Sequence, residues 1–243
     1  MHPAPDIAVG VPSPSLARRA VAEALGTAFL LIAVVGSGIA AQRLSPHDTG
    51  LALLENAIAT GAALVAIILA LGPISGAHLN CAVSAVDAAL GGLRARELGV
   101  YCAAQLCGGI AGTVVANAMY GLVPVTVSHH ARGGAGVLLA ECVATFGLLL
   151  VIAGVTRAGR SGAAPFAVGA YIAGAYFFTS STSFANPAVT VARSLSDTFA
   201  GIAPASVPAF VLMQALGTIA AALAIRFLWP STTRAGDRPA GTR

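Results

Sequence analysis

The chain has 243 residues, of which 57% are hydrophobic and only 9% charged. A water-soluble domain carries about 25% charged residues, so this chain lacks the charge to cover its surface in water, and the bilayer is its natural solvent. Lysine is absent and thirteen arginines face nine acids; the arginines sit at the ends of apolar segments rather than along one face, which reads as membrane topology and excludes a nucleic-acid surface.

Residues 1–15 are rich in proline and small residues and are expected to form a disordered tail. They do not read as a signal peptide, because no basic segment leads into a short apolar core with a cleavage site. A membrane-spanning helix needs roughly 20 apolar residues. Six segments meet or approach that length: Ala20–Ala41, Leu51–Leu71, Leu98–Gly121, Gly136–Val155, Pro165–Phe178 and Ser206–Leu228. Two others, Asn80–Leu90 and Asn186–Leu195, are about half a bilayer long as helices. Each follows a small polar run, Ser75-Gly76-Ala77-His78 or Ser180-Ser181-Thr182-Ser183. Irregular backbone at membrane depth is tolerated only around protein or a wet cavity, so both are expected to be re-entrant. Residues 231–243 are polar and read as a second loose tail, leaving one transmembrane domain over 16–230.

Six spans put both termini on one side. If that side is the cytoplasm, ten arginines lie inside and only Arg43, Arg132 and Arg193 outside, the bias expected of cytoplasmic loops. The halves, about 16–121 and 136–230, resemble each other. Ala22-Glu23 with Thr27 is echoed by Ala140-Glu141 with Thr145, Gln105 and Gly108 by Gln214 and Gly217, and Asn80-Cys81-Ala82 by Asn186-Pro187-Ala188. Three spans per repeat require the second copy to be inverted, which brings the paired short helices face to face near the midplane. Asn is a strong N-cap and Pro suits the first helical position, so each short helix starts at its Asn. The Asn NH2 groups are then expected to point into the pore as donors, with helix dipoles excluding cations.

Ser-Gly-Ala-His-Leu-Asn at 75–80 and Asn-Pro-Ala-Val-Thr at 186–190 resemble the paired signature loops of the aquaporin, or major intrinsic protein, family. The resemblance covers nearly the whole chain. It implies an all-α membrane protein with six transmembrane helices and two re-entrant half-helices, a homotetramer, and a passive channel for small neutral solutes and water. Two departures bear on function. Cys81 stands where the first signature has proline, putting a thiol near the pore midpoint; it is read as a small packed residue. Val189 stands where water-selective members place an arginine, and Arg193, one turn further on, is read as supporting the loop. By spacing from the signatures, the filter is expected at Thr60, Gly174, Ser183 and Val189. These small side chains imply a wide pore for glycerol, urea or metalloid hydroxides such as arsenous acid, with a water-selective channel as the alternative.

Glu23 and Glu141 are acids within spans, which are costly in a membrane. They are read as acceptors for the re-entrant backbone rather than proton relays, and His78 as a buttress for its loop. Eight glycines, at 26, 36, 61, 108, 112, 169, 174 and 217, read as close-packing positions. His129, His130 and Arg132 are expected to be solvated in the connection between the third and fourth spans. The four cysteines lack disulfide or metal spacing, a lone His78 makes no metal site, and no cofactor is implied. An ion-coupled transporter shares inverted repeats, but apart from the two glutamates no acid falls mid-span. An intramembrane enzyme would need a nucleophile–base pair, and none is visible. Composition points to a bacterial inner membrane.

Overall fold

A computed structural model describes residues 14–230. The expected tails at 1–13 and 231–243 lie outside the described residues. Eight α-helices follow in order: α1 Leu16–Leu44, α2 Thr49–Ser75, α3 Cys81–Ala89, α4 Ala95–Met119, α5 Ala135–Arg157, α6 Ala164–Phe178, α7 Pro187–Ala192 and α8 Val207–Leu228. Six are long and apolar enough to cross a membrane, with α6 reaching 18 residues through the 3-10 turn that precedes it. The two short ones are α3 and α7. Local chemistry sets the starts. The side chains of Ser15, Asp48, Asn80 and Asn186 accept from the first free N–H groups of α1, α2, α3 and α7, which supplies donors that a helix leaves without a partner.

Most of the spans are longer than the apolar runs that announce them. Helix α1 takes in Arg18, Arg19 and Arg43 at its ends, and α4 begins at Ala95 with Glu97 in its first turn. The polar turns stay helical because charged side chains at span ends find partners. Arg19 bonds Glu97, and Arg94 joins the same carboxylate at 3.3 Å.

The arrangement is a pseudo-symmetric bundle. Helix α1 packs on α2 and α4, α5 packs on α6 and α8, and α2 meets α6 across the halves. Each short helix also touches the last span of the opposite half, α3 on α8 and α7 on α4. Glycines permit the closest approaches. A Cβ at Gly108 would fall inside the contact radius of the Ala24 carbonyl, and one at Gly112 inside that of Ala28. At the α2–α6 crossing, a Cβ on Gly61 would sit 2.9 Å from the Gly169 carbonyl oxygen. Lipid offers no hydrophobic drive between helices, so such contacts must come from backbone proximity.

Polarity is inverted relative to a soluble protein. Glu23, Thr27, Gln105, Asn117, Glu141, Thr145 and Gln214 are fully buried, whereas Leu25, Phe29, Phe177, Phe178, Leu212 and Phe227 are exposed. Contacts at span ends fix the two faces. Arg226 donates to the Ala89 carbonyl at 2.6 Å and Arg19 bonds Glu97, so the ends of α3 and α8 and the starts of α1 and α4 share one face. The α4–α5 connection, residues 120–134, lies at the other, which we call the outer mouth.

Candidate functional site: a lumen between two re-entrant loops

The loops that lead into α3 and α7 run against backbone preference. Ala77, Leu79, Thr182, Ser183 and Ala185 all have positive φ, between 45° and 62°, a region that costs an ordinary residue about 1 kcal/mol or more. Two buried carboxylates hold them there. Glu23 accepts from the backbone N–H of His78 at 2.9 Å and of Leu79 at 2.7 Å, from the Ser75 hydroxyl at 2.6 Å, and from Gln105 at 2.8 Å. Glu141 accepts from Phe184 N–H at 2.9 Å, Ala185 N–H at 3.0 Å and Gln214 at 2.6 Å. Each glutamine also donates to a hydroxyl on the short helix it serves, Gln105 to Ser84 and Gln214 to Thr190. These four residues are part of the loop support. Their signal in the sequence was the repeated Gln-x-x-Gly and the matched Ser84/Thr190 positions. His78 bonds Ser84 through Nδ1 at 3.1 Å and stacks edge-on against Tyr101.

The two loops meet. Asn80 donates from its NH2 group to the Ala185 carbonyl at 2.8 Å, and Asn186 donates to the Leu79 carbonyl at 2.7 Å. Each Asn oxygen meanwhile caps its own helix. The amides are therefore not aimed wholly into the pore: each spends one N–H on the opposite loop and keeps one for the lumen, because the partner carbonyl is the nearest acceptor at the junction.

A cavity of about 910 Å³ runs past this junction. Asn80 and Asn186 line it; Cys81, Ala82, Pro187 and Ala188 do not. Cys81 neighbours Cys102 of α4 and is not part of the lumen lining. The inner end is bounded by Asp87, Gly91, Gly92 and Arg157, and the walls include Leu30, Val34, Leu64 and Ile172. Toward the outer mouth the lining is Thr60, Tyr176, Ser183, Val189 and Arg193.

Three expectations are corrected here. Gly174 faces outward and is exposed, not in the lumen. Ile172 and Tyr176, four residues apart on one face of α6, line the pore instead, and the Tyr176 hydroxyl meets Thr60 at 3.1 Å. The lining at the level of Thr60 thus carries a large aromatic rather than small side chains alone. Arg193 does line the cavity; its guanidinium lies 3.5 Å over the Phe184 ring and its Nε donates to the Ala200 carbonyl. Arg132 is not simply solvated. It folds in from the α4–α5 connection, donating through Nε to the Gly201 carbonyl at 2.8 Å, and burial pushes its guanidinium down from the ordinary arginine range. Asp197, in the α7–α8 connection, accepts from the backbone N–H and ring of His129 in the α4–α5 connection, which hold its carboxyl below the usual carboxylate range.

The fold and the paired loops have known counterparts. The sequence pattern described as Major intrinsic protein matches residues 11–184. The chain belongs to the major intrinsic protein family. It is a multi-pass membrane channel protein of that family. It is 51% identical to the aquaglyceroporin AqpS of Rhizobium meliloti (strain 1021) over 213 residues, 88% of this chain and 91% of that one. It is 32% identical to the aquaporin AqpM of Methanothermobacter marburgensis, over 88% of this chain and 98% of the relative. Among solved structures, the aquaglyceroporin from Plasmodium falciparum superposes with a TM-score of 0.70 at 24% identity, covering 89% of this chain and 98% of that one. That likeness concerns the fold.

Proposed function

We propose that this family member passes small uncharged polar solutes, with glycerol, urea and metalloid hydroxides such as arsenous acid as the class, together with water. The supporting observation is the two-sided lining of the lumen on the outer side of the loop junction. Thr60 and Tyr176 bring hydroxyl-bearing side chains to this lining, with Ser183 beside them, while Val189, Ile172 and Leu64 bring methyls. The Ser183 hydroxyl is buried behind the lining and has no protein partner among the described residues. A polyol has hydroxyls along one edge and C–H groups along the other, so it replaces its hydration shell on the polar side and excludes water on the apolar side. Val189 leaves that section without the arginine that narrows water-selective pores, and the 51% identical relative carries the name aquaglyceroporin. The filter in this reading is Thr60, Tyr176, Ser183 and Val189, below Arg193.

A water-selective pore is the second reading, favoured by the Tyr176 ring in that lining. Stopped-flow light scattering on proteoliposomes separates the two: glycerol and urea flux, with arsenite uptake measured alongside, is expected to be non-saturating and insensitive to protonophores. Water flux with none of these solutes would sink the proposal. The carboxylates do not favour a coupled transporter, because Glu23 and Glu141 are committed to the loops. The reading is of a conduit without catalysis or cofactor. The arginine bias supports cytoplasmic termini, and the composition, rich in Ala, Gly and Arg without Lys, supports a bacterial inner membrane. The family resemblance supports a homotetramer.

A further inference from the structure

Beside the outer end of the lumen lies a second cavity of about 170 Å³, lined by Thr49, Leu53, Asn56, Arg132, Thr182, Arg193 and Phe199. Arg193 borders both spaces. It is 2% exposed, and after its Nε is committed to Ala200 its two terminal nitrogens have no protein acceptor among the described residues. Arg132 approaches the same aromatic ring, its guanidinium carbon 5.0 Å from the Phe184 centroid against 3.5 Å for Arg193. Neither arginine forms an ion pair among the described residues. No carboxylate among them bonds either guanidinium, although Glu55 keeps one oxygen without a partner. Glu141 holds the second loop, Glu55 accepts from Ser45, Asp48 caps α2, and Asp197 is bonded to His129.

Two guanidinium groups on one ring, with no carboxylate bonded to either among the described residues, make a positive site whose one acid in electrostatic reach there, Glu141, is held by the second loop. Burial of an uncompensated charge is unfavourable, and a guanidinium fork matches the paired oxygens of an oxyanion. The hydroxyls of Thr49 and Thr182, neither of which donates elsewhere among the described residues, supply further donors at the wall. We propose that this cavity binds a small oxyanion through the open fork of Arg193 and the charge of Arg132, and that the bound ion obstructs solute flux at the outer mouth. The obstruction rests on the conduction reading; the binding does not.

Inorganic phosphate is the probe, exchanged for chloride at constant ionic strength on both faces of proteoliposomes containing the whole protein. Glycerol flux is expected to fall saturably with phosphate, and Arg132→Gln or Arg193→Lys to raise the half-inhibitory concentration about tenfold, since a lysine keeps the charge but not the fork. Phosphate is also expected to raise the melting temperature of the detergent-solubilised parent above its value in chloride, and this shift to shrink in Arg132→Gln. If the parent passes no glycerol in chloride, the conduction reading fails and the melting shift still judges the ion site. Identical melting temperatures in phosphate and chloride, or equal inhibition of parent and both variants, overturn the proposal.

Discussion

Replacing Glu141 by Gln tests the assignment of the buried acids to loop support. The carboxylate accepts from three donors, Phe184 N–H on Oε1 and both Ala185 N–H and Gln214 on Oε2. A glutamine with its oxygen at the Oε2 position keeps the latter two, but its NH2 group then faces the Phe184 N–H, donor against donor. The loss is one charge-assisted bond and one orphaned buried donor, together about 3 kcal/mol. The two surviving bonds also weaken, because neutral acceptors bind roughly half as strongly as charged ones. Thr182, Ser183 and Ala185 sit at φ values of 62°, 51° and 45°, and this strain pushes the loosened loop away from its native path. For a chain of this size, about 3 kcal/mol corresponds to a melting-temperature drop of roughly 6–12 °C. The assay is a thermal ramp of detergent-solubilised protein, paired with glycerol flux at several pH values. A variant with the parent's melting temperature and an altered pH profile would show that Glu141 is a proton relay and refute the argument.

Other expectations follow from particular contacts. Val189→Arg places a charged chain in the lining, so glycerol and urea flux should fall about tenfold or more while water flux persists; equal loss of all three would point to a collapsed pore. Tyr176→Ala should admit larger polyols, whereas Gly174→Ala, on the exposed side of α6, should leave flux unchanged and stability within about 0.5 kcal/mol. Gly108→Ala drives a methyl into the Ala24 carbonyl and should cost about 1–3 kcal/mol, read as a lowered melting temperature. Because its folded pKa is depressed, Asp197 contributes stability above the ordinary carboxylate range that disappears as pH falls through the lowered value. Proteolysis of the 120–134 segment should therefore accelerate at acid pH in the parent, and Asp197→Asn should cleave at the parent's acid rate even at neutral pH.

The spans and both short helices were legible because length and hydropathy alone define what crosses a bilayer. Glu23 and Glu141 were legible through their symmetric placement. The lining of α6 was not. Position 174 is two residues from Tyr176, about 200° around a helix, and α6 is apolar on every side with no polar stripe to orient it. Counting back from the second signature measures chain length but not helix rotation. The donors of Asn80 and Asn186 were misdirected for another reason: their acceptors, Ala185 and Leu79, belong to the opposite loop and leave no trace in local sequence. Arg132 sits in an irregular connection, where nothing marks an inward turn.

The reciprocal amide clasp sets a schedule for biosynthesis. Asn80 finds its acceptor 105 residues downstream, which is about 5–20 s of ribosome time at ordinary elongation rates. Until then the Leu79 carbonyl and the Asn80 amide have no native partner, and a half-inserted segment with orphaned polar groups is unstable in hydrocarbon. The expected order is therefore that the short helix of the first half stays near the wet edge of the bilayer until the second half emerges to dock with it.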